Sequence, residues 1–428
     1  MFFNCCQYCR PISTSLSPNT ESDDVRLALK LFFQPWRWKK QISQNTENCS
    51  LCSRLEEEFR KYLAVKHAVA FNSGRSALMA VLDSLGLQKG DEVLLQAFTC
   101  NAVPNPMLWL GLKPLYVDCK DDFNIDPEDL KKKITLRSKA VIVQHTFGLP
   151  VDIDEILGIC RQNNLILIED CAHTLGAEYK DKKVGAFGKA AFFSFSRDKV
   201  ISSVYGGMAA TNDDELAKKL REYQEKIGYP SYCWIVRQLL HPILMNWLIL
   251  PTYRICGKYF LILFQWFGIL SKAVDWREKR GQKPCYFPKR MPDALAALAL
   301  HQFKKLEGFN AHRKELAIFY YKNLKDTEFI LPCISNGGSH IFLRFPVRYP
   351  RAHEVIKKCW KNNILIGDWY TTSIAPHDTK LDKMGYEIGS CPVAEKLAKE
   401  TLNLPTHINI SEKEAGRIVA FLKSFLKT

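Results

Sequence analysis

From about residue 53 to residue 212 the chain alternates short apolar runs with stretches of helical periodicity. The runs EVLLQAF (92–98), KPLYVDC (113–119), AVIVQHT (140–146), LILIED (165–170), AAFFSFS (190–196) and GGMAAT (206–211) have the length and continuous apolar character of buried strands. The segments between them are long enough for crossover helices; 76–85, for instance, carries Leu78, Val81, Leu82 and Leu85 on one helical face. This alternation predicts a mostly parallel α/β sheet covered on both sides. Ligands of such a sheet are expected at the carboxyl ends of its strands.

The same pattern suggests boundaries. Residues 1–47 mix Ser, Asn, Thr and isolated aromatics without sustained periodicity and read as an irregular extension. Order is expected from Ser53, where Ser53 and Glu56 fit a capping box ahead of LEEEFRKYL. A large α/β domain is assigned to 48–300 and a smaller carboxyl-terminal α/β domain to 301–428. DALAALALHQFKKLEGF (293–309) reads as a strong helix. The last helix opens on a box of Ser411 and Glu414, followed by apolar Ile418, Val419, Leu422 and Phe425.

The large domain is interrupted at about 226–285 by an apolar insertion. No acidic residue occurs from Lys226 to Val274, whereas Lys226, Arg237, Arg254, Lys258 and Lys272 punctuate it. The uncharged runs 238–253 and 259–271 are shorter than the ~20 residues of a spanning helix, and Pro242 and Pro251 are expected to interrupt the first. Two readings remain open: a helical hairpin at a membrane interface, with contact over 234–271 and the basic residues at headgroups, or a hairpin buried in the fold or against another subunit.

Composition adds three constraints. At 428 residues and 47 % hydrophobic, the chain is long enough for a large core and an attached smaller domain. A formal charge of +15 favours anionic partners, among which phosphorylated substrates, an acidic membrane face and nucleic acid all qualify. The 15 cysteines are scattered rather than set at framework spacings, which indicates reduced thiols in a cytosolic protein. The amino terminus lacks the basic start, apolar run and small-residue cleavage site of a secretory signal. The pairs Cys6/Cys9 and Cys49/Cys52 lie too far apart for a usual zinc ribbon, and no metal is expected; Cys5, Cys6 and Cys9 are candidate lipidation sites.

Three segments carry chemistry. Asn72-Ser73-Gly74-Arg75-Ser76-Ala77-Leu78 is a glycine-containing turn at a helix start, where backbone N–H groups hold either a phosphate or only a structural cap. Leu165 to Asp170 is an apolar strand delivering Glu169 and Asp170 at its carboxyl end, with His173 just beyond. Phe193-Ser194-Phe195-Ser196-Arg197-Asp198-Lys199 is another strand and a polar turn ending in a lysine, followed by Tyr205-Gly206-Gly207. A lysine amine can join a cofactor aldehyde, and an upstream carboxylate can keep a pyridinium charged.

In their order these segments resemble the DegT/DnrJ/EryC1/StrS family of sugar aminotransferases. Further matches are Gly90-Asp91-Glu92-Val93, Val117-Asp118, His145-Thr146-Phe147-Gly148-Leu149-Pro150, Lys183-Val184-Gly185-Ala186-Phe187-Gly188, Arg290-Met291 and Cys391-Pro392-Val393-Ala394-Glu395. The resemblance runs from about Leu55 to the end. It implies a fold-type-I architecture, pyridoxal 5′-phosphate as cofactor, and a homodimer with shared active sites. It also implies amino transfer from a donor such as glutamate to a nucleotide-linked keto sugar, with no nucleic-acid partner. Lys199 falls on the family's Schiff-base lysine and Asp170 on the carboxylate that meets the pyridine nitrogen. Gly74 and Arg75 fall on the phosphate turn through their backbone amides, Ser194 on a hydroxyl donor to the same phosphate, and His173 in place of a Gln beside the phenolic oxygen.

Three positions depart from the family's pattern. Cys100 stands where many members place the ring that stacks on the cofactor, Pro288 replaces an Asn that reaches the neighbouring subunit's phosphate, and Tyr205 replaces a Glu. Two alternatives follow, a sugar dehydratase on the same cofactor and a non-catalytic or membrane-bound member of the fold. In one dehydratase branch the lysine is a histidine, so Lys199 favours amino transfer.

Overall fold

Every apolar run read as a strand enters one seven-stranded sheet of the computed structural model, which describes residues 10–39, 50–333 and 338–426. Across the sheet the strands are His67–Phe71, Gly207–Thr211, Ala190–Ser194, Ile166–Asp170, Ser138–Gln144, Glu92–Gln96 and Lys113–Val117. Only Gly207–Thr211 runs antiparallel to its neighbours, so the sheet is mostly parallel, as expected. His67–Phe71 is an addition to the expected set. Strand side chains on both faces are buried, which is why the strands read as continuous apolar runs rather than alternating ones.

Toward the carboxyl end, Arg344–Arg348 pairs antiparallel with Thr401–Pro405. Helices Ala352–Lys361, Pro392–Glu400 and Glu412–Phe425 accompany this pair. The box at Ser411 and Glu414 forms as expected, and Ile418, Val419, Leu422 and Phe425 are buried. The helix read over 293–309 is instead two, Asp293–Phe303 and Leu306–Leu324, broken where the Lys305 ammonium turns aside to Glu21, Asp23 and Asp24.

Two local expectations are corrected. The helix placed at Ser53 spans Leu51–Leu63, and its cap is Ser50, whose hydroxyl accepts the Ser53 N–H at 3.1 Å. Glu56 caps nothing: it accepts the Ala70 N–H at 2.7 Å and two guanidinium N–H groups of Arg221 at 2.9 and 2.7 Å. A charged partner brought by tertiary structure outcompetes a local backbone bond. The second correction concerns the extension. Ile12–Ser13 pairs with Ile364–Leu365, and Ser22–Phe32 is a helix capped reciprocally by Glu21 and Asp24. Its buried Val25, Ala28 and Leu31 join the same apolar cluster as Ile235, Leu239 and Leu298. Cys5, Cys6, Cys9 and Cys49 lie outside the described residues.

The insertion folds as the helix Tyr232–Leu244, continued by a wider turn at Met245–Ile249, then Tyr253–Gly257 and the helix Lys258–Trp266. Between the two limbs the chain bends by 107°. Pro242 sits inside the first helix without ending it, contrary to expectation, and the bend falls at Pro251. Gly257 permits the bend, since a Cβ there would lie 2.1 Å from the Ile249 carbonyl oxygen.

Candidate active site

The strand Ile166–Asp170 ends in two buried carboxylates that face opposite ways, because successive side chains of a strand alternate. Glu169 turns away from the pocket and accepts N–H groups of Gly185, Phe187 and Gly188 at 2.7, 2.8 and 2.7 Å. Burial alone would raise its pKa, but His145 and these N–H groups hold it below the ordinary value. Glu169 is therefore a structural anion. Asp170 lines the pocket, where its Oδ1 accepts the Ala172 N–H at 2.9 Å. Burial pushes its pKa up to about 6 against the pull of Ala172 and Lys199.

Lys199 follows the neighbouring strand Ala190–Ser194 through a turn closed by its own N–H on the Ser196 carbonyl at 3.1 Å. Its ammonium lies in the same pocket, 4.4 Å over the Trp369 ring. Burial lowers its pKa, while Asp198, Cys100 and Asp170 oppose the shift. A lowered pKa raises the fraction of free amine, the form that attacks a carbonyl.

The turn at Ser73-Gly74 starts the helix Gly74–Ser84, with the Ser73 hydroxyl accepting the Ser76 N–H at 3.1 Å. Close backbone approach demands glycine here: a Cβ on Gly74 would lie 3.0 Å from Ser194 Cβ, and one on Gly207 would lie 2.4 Å from the Ser73 carbonyl carbon. The result places a helix N-terminus against the Ser194 side chain, both lining the pocket. The Arg75 side chain turns toward the insertion, forms a buried ion pair with Glu278 and donates to the Ala273 carbonyl at 3.1 Å. Its contribution to an anion site thus rests with its backbone amide, as the resemblance implies.

His173 is buried, and its Nδ1 accepts the Phe147 N–H at 3.3 Å. Burial, with Lys199 and Arg344 adding to it, drives its pKa well below the ordinary value, so the neutral ring carries its proton on Nε2. That Nε2–H donates to the Tyr370 hydroxyl at 3.3 Å. The ring stacks on Trp369 with centroids 5.1 Å apart, and Trp369 lies at 8° to Tyr370. The flat rings that Cys100 does not supply are thus present from another part of the chain.

Gly74, Arg75, Cys100, Asp170, His173, Ser194 and Lys199 all line one pocket. Four contributions were not read from sequence: Trp369 and Tyr370, the Arg344 that lies 3.3 Å over Trp369 and bonds Asp198 at 3.3 Å, the wall Ala273-Val274, and Asn19. The wall is clamped by the site itself. Arg197 donates to Ser271 O and Oγ at 2.7 and 2.9 Å, and the Tyr205 hydroxyl donates to Lys272 O at 2.6 Å. Tyr205, in the place of the family's Glu, thereby holds the insertion against the pocket.

Asn19 comes from the extension and donates through Nδ2 to the carbonyls of Lys199 and Val200. Its Oδ1 accepts from the buried Arg313 at 2.8 Å, and Arg313 also donates to the Val200 carbonyl at 2.9 Å. Asn19→Ala should cost ~1–3 kcal/mol in urea unfolding, because it leaves buried groups without partners. Unchanged stability would deny Asn19 this role.

The chain is similar to known proteins along most of its length. The model of the "DegT/DnrJ/EryC1/StrS aminotransferase family" matches residues 39–423. A GDP-perosamine synthase of Vibrio cholerae is 38 % identical over 385 residues, covering 87 % of this chain and 90 % of the relative. A GDP-perosamine synthase of Caulobacter vibrioides is 29 % identical over 375 residues, covering 87 % and 89 %. Among solved structures, a putative sugar aminotransferase of Streptococcus pneumoniae in its PMP form superposes with a TM-score of 0.75 at 18 % identity, over 97 % of this chain and 98 % of that one. The last likeness concerns the fold.

Proposed function

The chain belongs to the DegT/DnrJ/EryC1/StrS aminotransferase family, and from that premise we propose that it moves an amino group from glutamate to the keto group of a sugar carried on a nucleoside diphosphate, with pyridoxal 5′-phosphate as cofactor. The observation that carries the reading is the meeting of Lys199 and Asp170 in one pocket beside the Gly74 turn. The nucleotide-sugar part is supported by the names of the relatives, which include GDP-, UDP- and dTDP-sugar enzymes.

The pocket residues fit this cofactor. A carboxylate whose charged form is disfavoured by burial calls for a cationic partner, and a protonated pyridine nitrogen is one. The backbone amides of Gly74 and Arg75 and the Ser194 hydroxyl would hold the phosphate, and His173, its Nε2–H on the Tyr370 hydroxyl, lines the same pocket. When bound, pyridoxal phosphate supplies an aldehyde that combines with amines and a ring that withdraws electrons from the attached carbon.

The chain's own groups do the rest. Lys199 Nζ, whose fraction of free amine burial raises, would make the covalent attachment. With its amine free, Lys199 Nζ would be the group that takes the proton from the donor's α-carbon. Asp170 would hold a proton on the cofactor's ring nitrogen by its charge. Trp369 and Tyr370 form part of the pocket lining. The second half of the reaction reverses these steps on the keto sugar.

The reading extends to a cytosolic homodimer, supported by described cysteines that are free thiols and by the family's shared sites. The test is amino transfer from glutamate across a panel of GDP-, UDP- and dTDP-linked keto sugars, with light scattering on the active fraction. One sugar should accept nitrogen from labelled glutamate, and the active species should have twice the 49.2 kDa chain mass. No transfer to any member, or full activity in a monomer, would contradict the corresponding part of the reading.

A further inference from the structure

The insertion carries an apolar stripe on its outer side. Along the helix Lys258–Trp266, the exposed Tyr259, Ile262, Leu263 and Trp266 recur at the i, i+3, i+4, i+7 spacing of a single face. Ile255 and Phe267 extend the stripe at either end; Trp266 is 76 % exposed and Ile255 71 %. The inner side is already satisfied, since Phe260, Leu261 and Phe264 pack on Met245, Ile249, Leu250 and Leu270. A surface helix normally turns polar residues outward. This one is apolar on both sides, so its outer stripe has an occupant to meet.

Charge identifies the occupant. The exposed Arg237, Arg254, Lys258 and Lys272 accompany the stripe, and no Asp or Glu lies between Lys226 and Val274. Tyr259 and Trp266 within the stripe, and exposed Trp247 on the preceding turn, are the residue types that settle at the headgroup level of a bilayer. The limbs bend by 107°, and among the described residues no single helix is long and apolar enough to cross a membrane. The element therefore suits lying along a surface rather than spanning it.

We propose that this hairpin docks, stripe inward, in the headgroup layer of an anionic bilayer. Because Ala273 and Val274 at its return limb wall the pocket, and the adjoining Ser271, Lys272 and Ala273 are held by Arg197, Tyr205 and Arg75 respectively, docking sets the active site at the membrane surface.

Flotation of the full chain decides the matter. The probes are vesicles of phosphatidylglycerol mixed equally with phosphatidylcholine, and vesicles of phosphatidylcholine alone. The protein should float with the anionic vesicles, less so as salt is raised, and Trp emission should shift to the blue. Arg254→Glu with Lys258→Glu should lower the partition by at least ~tenfold, and Trp266→Ser with Phe267→Ser should bring it near background. These side chains are exposed and outside the pocket, so both variants should keep wild-type melting and amino transfer in solution. Failure of the wild type to float, or equal flotation of all variants, overturns the proposal. So does loss of a larger oligomer in the serine variant without vesicle binding by the wild type, which would make the stripe a contact between copies of this chain.

Discussion

Lys199→Ala should abolish amino transfer while leaving the cofactor's phosphate anchorage in place. The backbone amides at Gly74 and Arg75 and the Ser194 hydroxyl do not involve the lysine, so pyridoxal phosphate should still bind, more weakly and reversibly. No other lysine lines the pocket among the described residues, so no other amine can take over the attachment or the proton transfer. Loss of general acid–base action alone removes ~10²–10⁴ in rate, and loss of the covalent link adds to it. Wild-type protein treated with pyridoxal phosphate and borohydride should carry the label on the Lys199 peptide. The variant should carry none. Label on a different lysine of the wild type would falsify the assignment of the nucleophile.

Asp170→Asn should fail in a different way. The amide keeps the size of the side chain and can still accept the Ala172 N–H, but it no longer favours a protonated ring nitrogen by charge. Covalent trapping on Lys199 should survive, whereas turnover should fall by roughly a thousandfold or more, on the order of 4 kcal/mol in the barrier. Linkage gives a second signature, in the cofactor-free protein. Asp170 titrates at about 6 when folded against an ordinary 3.8, so folding raises its pKa. Its charge then costs stability at pH above about 6, and the cost fades as pH falls and is gone below the ordinary value, where both states are protonated. The difference corresponds to ~3 kcal/mol. The Asn variant should therefore melt higher than wild type at pH 7 without cofactor and lose that advantage at pH 4. Melting equal to wild type at both pH values would show that the carboxylate is not strained in the empty pocket.

Both predictions concern residues that were legible in the chain. Their neighbours Glu169 and Arg75 were less so. The sequence places two acids at one strand end, and alternation sends them to opposite sides, but only the fold shows which side holds the pocket. Glu169 is claimed by three backbone N–H groups of residues 185–188, a partner set the strand itself does not reveal. Arg75 reads as a basic residue in a phosphate turn, yet its side chain is neutralised by Glu278, which lies beyond the hairpin.

By itself the sequence determined the strand and helix alternation and the mostly parallel sheet, because hydrophobic period is a property of neighbouring residues; that Asp170 and Lys199 belong to one site was implied by the resemblance, and the fold brings both to one pocket. Tertiary structure decided the rest. The Ser22–Phe32 helix has 11 residues, too few to be stable alone in water, and it exists because Val25, Ala28 and Leu31 have a core to enter. Asn19, Trp369, Tyr370 and the 271–274 wall reach the site across long stretches of chain, carried by contacts that no local period encodes. Glu56 leaves its expected cap for Arg221 for the same reason: a partner distant in sequence binds it more strongly than the backbone beside it.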